Sequence, residues 1–109
     1  MQSEKQFLLE LEKKWDELKS EAHSLSFRKG QILFYEKHLP YGLFLMLRGD
    51  LQFRHRGKAC SEKHFWNFRN YKILCLESFL NKTPYACNSL VLSDADFLFL
   101  SKTEFLSEE

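Results

Sequence analysis

A chain of 109 residues with a formal net charge of +1 has room for one core, not for a sensor joined to a separate effector domain. Apolar residues make up 44%, with eleven Phe in the chain, which argues for a packed globule and against disorder. No run approaches the ~18 apolar residues of a membrane span, and MQSEKQFLLELEKKWDE is too acidic for a signal peptide, so a cytoplasmic protein is expected.

In chain order, Ser3 followed by Gln6 is a capping-box pattern at a helix start. Leu8, Leu11, Trp15, Leu18, Ala22 and Leu25 then recur every three or four residues, which predicts one amphipathic helix over residues 4–22. Glu10 and Lys14 add an i,i+4 pair on its outer face. A coiled-coil seam would have fewer than three heptads, so the stripe is expected to pack on the domain's own sheet.

From residue 24 the period shortens. SLSFRK, QILFYE, LFLML, LQFRHR, HFWNF and YKILCL read as short strands separated by Gly30, the EKHLPYG turn, RGD and Gly57. NSLVLSD and DFLFLSK read as a terminal pair. Six to eight such strands predict a mainly β fold, a β-roll or jelly roll over residues 24–102, within a single domain spanning 1–109. Ser101 and Glu104 form a second capping-box pattern, so a helix is expected to start at 102 and run to 109.

The charge is unevenly spread: residues 1–22 carry six acids and four bases, residues 26–72 three and ten, residues 73–109 six and two. The basic middle suits an acidic protein, a nucleic acid bound without sequence preference, or a solvated strand surface. Cys60, Cys75 and Cys87 occur in no CxxC spacing and read as thiols outside any disulfide. Among His23, His38, His55 and His64, only His64 lies near a cysteine, Cys60, and that single pair is read as no metal site. The Asn81 sequon and the Arg48-Gly49-Asp50 tripeptide are chance matches in a chain without a secretory signal. There is no serine, histidine and acid arrangement, no phosphate loop and no paired carboxylates beside a histidine, so no enzyme and no cofactor is expected.

The order helix, FRKGQILFYEKHLPYGLFLMLRGDLQFRHRGK, loop, ILCLESFLNKTPYACNSLVLSDADFLFLSKTEFL resembles the cyclic-nucleotide-binding domain family, the sensor jelly roll of bacterial catabolite-activator-type regulators. The resemblance covers residues 5 to 109 and rests on Lys29 and Gly30, Gly49, Gly57 and the segment from Glu77 to Ala86. It implies a phosphate cassette at that segment, with a short helix, a glutamate for the ribose hydroxyl and an arginine for the phosphate. The family's glycines correspond to Asn70 or Tyr71 and to Cys75, its glutamate to Glu77, and its arginine to Tyr85 or Ala86. Cys75, Glu77, Lys82, Tyr85 and Ala86 therefore form a vestigial cassette in which Lys82 is the only base between Ile73 and Ser101. Truncating one partner of a buried charge pair costs about 2–5 kcal/mol. The Tyr85 ring is expected to lie where a ligand would sit.

The resemblance thus implies a degenerate member, a protein interaction hub in bacterial signalling that no longer takes cyclic nucleotide. Trp15, Arg54, Arg56, Trp66 and Arg69 are its candidate partner contacts. The alternatives are a small-molecule sensor with altered specificity, using Glu77 and Tyr85, or the sensor part of a transcription regulator. The chain ends where the related regulators begin their dimer helix, so specific DNA binding is not expected. A homodimer would use the N-terminal helix or a strand edge.

Overall fold

The computed structural model describes residues 3–60 and 64–103. The expected N-terminal helix is two: α1 (Glu4–Lys13) and α2 (Trp15–Glu21). Ser3 accepts from the Gln6 amide at 3.1 Å while the Gln6 side chain accepts from the Ser3 amide, the reciprocal cap that satisfies two exposed donors. The break falls at Lys14, whose φ of −106° and ψ of 11° leave the helical region. Across it Phe7, Leu11, Trp15 and Leu18 still share one buried face, so the hydrophobic stripe survives the break. On the outer face Glu10 lies 3.7 Å from Lys13.

Seven strands follow among the described residues: β1 (His23–Phe27), β2 (Ile32–Phe34), β3 (Gly42–His55), β4 (Lys58–Ala59), β5 (Phe65–Phe68), β6 (Tyr71–Leu74) and, after helix α3 (Leu76–Asn81), β7 (Asn88–Ser101). All pairings are antiparallel, with a main order β1-β7-β3-β6-β5, β2 added to β7 and β4 to β3. Two expectations change here. LFLML and LQFRHR are halves of one strand, β3, and NSLVLSD and DFLFLSK are halves of β7, its partner. RGD is no turn: the ladder slips between Met46 and Arg48, Arg48 and Asp50, and Asp50 and Leu51, which bends both strands without ending them. Gly49 has a φ of +114°, and a Cβ there would come within 2.3 Å of the Ala95 Cβ. Arg48 Nε donates to Asp96, and Ser26 Oγ donates to the same carboxylate at 2.8 Å, so the bulge is clamped from both neighbouring strands.

Successive strand residues point to opposite faces, and two cores result. Leu43, Leu45, Ile73 and Leu100 face the helices and pack with Phe7, Leu11, Trp15 and Leu18. Met46, Phe53, Leu74, Val91 and Phe97 face inward and fill the roll with Phe34, Tyr85 and Cys87. At the C-terminus residues 102–103 are helical, and the rest of the helix expected over 102–109 lies outside the described residues.

Candidate functional site

The segment from Cys75 to Ala86, where the cassette is expected, carries helix α3 and the turn after it, between β6 and β7. Strand β6 ends at Leu74, and Cys75 turns the chain into α3 with φ 49° and ψ 46°. That left-handed conformation costs a side chain more than it costs glycine. The Cys75 amide donates to the His64 carbonyl at 2.6 Å, which ties the cassette to the start of β5. Helix α3 carries Glu77, exposed, in its first turn and stops at Lys82, also left-handed and exposed.

Beside α3 lies a cavity of about 290 Å³ lined by His64, Phe65, Trp66, Cys75, Leu76, Glu77, Ser78, Ala86 and Cys87. None of these described residues is Lys or Arg, and Glu77 is the one carboxylate among them. Burial, then the neighbouring Cys87, then Glu77 push the Cys75 thiol up to about 12, so it stays protonated at neutral pH.

The cassette candidates divide. Cys75, Glu77 and Ala86 line the cavity; Lys82 and Tyr85 do not. Tyr85 turns inward, 7% exposed, with its ring stacked on Phe34 at 3.9 Å. Its backbone is held at both ends, N–H to the His38 carbonyl at 2.9 Å and C=O from the Lys37 amide at 2.8 Å. Burial is the main reason its phenol is shifted upward, with Cys75 second. The ring therefore fills the interior of the roll and borders an apolar groove with Leu33, Phe44 and Phe99, rather than closing the α3 cavity.

The partner candidates divide as well. Trp15 is 3% exposed, edge-on to Phe68 at 5.1 Å and to Tyr71 at 5.4 Å, so it is a core residue and not a surface anchor. Arg69 lies over the Trp15 ring at 5.8 Å and donates from Nε to Glu12 at 3.3 Å, joining the β5–β6 turn to α1. Trp66 is half-buried and lines the cavity. Arg54 and Arg56 are exposed on the β3–β4 hairpin. Phe65 packs against the roll interior, whereas Phe68 is buried on the helix side.

One grouping escaped the sequence reading. Cys87, 27 residues after Cys60, comes to 2.9 Å from it, Sγ to Sγ, and to 3.9 Å from His64 Nε2. The signal was the Cys60–His64 pair, and its third member lies across the roll on another segment.

No protein-family model and no curated protein sequence matches the chain. Solved structures do. A cyclic nucleotide binding protein from Ruegeria pomeroyi superposes with a TM-score of 0.71 at 20% identity, over 89% of this chain and 43% of its own. The catabolite activator protein of Thermus thermophilus gives 0.69 at 19%, over 87% and 45%. A transcriptional regulator from Thermotoga maritima gives 0.66 at 17%, over 86% and 74%. The chain spans less than half the length of the first two. Superposition over most of the chain on these proteins shows the fold: the chain has the fold of the cyclic-nucleotide-binding domain.

Proposed function

We propose that this domain is a non-enzymatic bacterial signalling module that no longer takes cyclic nucleotide and works by binding another protein. The observation that carries the reading is the lining of the α3 cavity, where no described residue is Lys or Arg and Glu77 adds a negative charge. In the metal-free protein a cyclic phosphate brought there meets a carboxylate, two thiols and the His64 imidazole, with no Lys or Arg among the described lining residues. Losing one partner of a buried charge pair costs about 2–5 kcal/mol, roughly thirty-fold to several-thousand-fold in affinity. The left-handed Cys75 adds a Cβ where the polypeptide would approach the phosphate. The protein-binding surface on this reading is the β3–β4 hairpin, with Arg54 and Arg56 exposed beside Lys58, a compact basic patch suited to an acidic partner.

A thermal-shift titration with cyclic AMP and cyclic GMP to millimolar concentration tests the reading. Ligand at a hundred times its dissociation constant would add about 2.7 kcal/mol. A flat response supports the interaction module. A saturable rise in melting temperature overturns it.

One observation favours a second reading. The cavity persists and is walled by Phe65 and Trp66, so a flat, uncharged or cationic small molecule is the ligand class for a sensor of altered specificity. On that reading the domain is the sensor part of a longer regulator, in keeping with the greater length of its structural neighbours.

A further inference from the structure

Three side chains of the metal-ligating kind converge at the rim of the roll. Cys60 ends the β3–β4 hairpin, His64 precedes β5 and Cys87 precedes β7. Their ligand atoms all lie within 4.8 Å of one another. We propose that Cys60, His64 and Cys87 form a zinc-class metal site, with two thiolates and one imidazole as ligands and no fourth ligand among the described residues.

The geometry is close to what such an ion needs. With Zn–S near 2.3 Å and Zn–N near 2.0–2.1 Å, a tetrahedral site separates its sulfurs by ~3.8 Å and each sulfur from the imidazole nitrogen by ~3.6 Å. The Cys60–Cys87 separation is 2.9 Å and the Cys87–His64 separation 3.9 Å, so rotamer adjustments of about an ångström place an ion between them. The backbone of two ligands is already fixed. The Cys60 amide donates to the Phe53 carbonyl at 2.7 Å, and the His64 carbonyl accepts from the Cys75 amide at 2.6 Å. The His64 ring also rests edge-on against Phe53, centroids 4.8 Å apart. Cys87 is buried and supplies the inner wall.

Ligand type selects the ion. Two sulfurs and one nitrogen suit a borderline-soft cation with tetrahedral preference and disfavour magnesium or calcium, which take oxygen. Two thiolates balance the charge of a divalent ion, so the site needs no further acid. His64 and Cys87 border both the α3 cavity and a second cavity lined by His55, Lys58 and Ala59. The fourth position, filled by water or by a side chain of a partner, is thereby reached from the cassette and from the basic hairpin.

The test is cobalt substitution of the reduced protein, monitored by absorption, followed by zinc competition against a chromophoric chelator. One equivalent of cobalt should give thiolate-to-metal charge transfer and the intense visible bands of a tetrahedral ion, both discharged by zinc. Loss of a partner that merely orients a ligand costs ~10–100-fold in affinity, so Cys60→Ser, His64→Gln and Cys87→Ser should each weaken zinc by more than ~10-fold. His38→Gln should leave it unchanged. Cys60 and His64 are half-buried, and circular dichroism of their variants guards against simple unfolding. Absence of charge transfer in the folded, reduced protein, undiminished zinc affinity in Cys60→Ser, or closure of a Cys60–Cys87 disulfide that metal does not prevent would each overturn the proposal. Nucleotide enters none of these measurements, so they stand apart from the titration of cyclic AMP.

Discussion

Gly49 and Gly30 both hold positive φ, +114° and +94°, yet only one is crowded. At Gly49 an added methyl meets the Ala95 Cβ at 2.3 Å and its Cα at 2.7 Å, whereas at Gly30 nothing lies within 4 Å. Overpacking adds about 1–3 kcal/mol to the backbone cost of roughly 1 kcal/mol. Gly49→Ala should therefore destabilise by about 2–4 kcal/mol and Gly30→Ala by about 1, read from urea unfolding. Cys75 makes a second residue-scale case. Its thiol is raised from 9.0 to about 12, by burial first and then by Cys87 and Glu77. The folded value exceeds the unfolded one, so this contribution to stability is complete below pH 9 and is lost as pH rises toward 12. At pH 8 the thiolate fraction falls roughly 10³-fold relative to the unfolded chain. Alkylation followed by peptide mass mapping should find Cys75 unmodified long after denatured protein has reacted.

At the scale of elements, the helix pair is held by what crosses it. Trp15 begins α2 and closes the helix-side core over Phe68 and Tyr71. Trp15→Ala should cost about 3–5 kcal/mol, the usual range for a buried tryptophan, and a loss under 1 kcal/mol in denaturant titration would show that the helices dock by other means. The buried stripe of this pair was legible because Leu11, Trp15 and Leu18 keep helical spacing through the break. The break itself was not legible, since Lys14 is an ordinary helix former and its conformation follows from how the two segments dock. Strands fared similarly. Short apolar or alternating runs set off by glycine and charged turns placed nearly every β segment, but polar Arg48, Gly49 and Asp50 read as a turn. Only the facing Asp96 and Ala95 turn that polarity into a bulge, and those lie more than forty residues away.

For the molecule as a whole, the short helix α3 was legible because residues 75–86 are contiguous, while the thiol and imidazole cluster was hidden. Cys60 and Cys87 meet only after the β3–β4 hairpin and the start of β7 close the roll. The destination of the Tyr85 ring was equally a tertiary matter, decided by Phe34. On the proposed reading, this division locates where an added positive charge would act. Ala86 is exposed and borders the α3 cavity, whereas Tyr85 points into the core. An arginine at 85 would bury a cation among aromatics, but an arginine at 86 reaches the cavity from its rim. A hydrogen bond to a charged group contributes about 1.5–3 kcal/mol, so Ala86→Arg should tighten cyclic AMP binding by roughly 10- to 100-fold over the unsubstituted chain. Chemical-shift titration at millimolar nucleotide detects that gain. If Ala86→Arg binds cyclic AMP no more tightly than the original chain while remaining folded, charge at residue 86 does not govern affinity at this cavity, and the left-handed backbone at Cys75 is the next determinant to change.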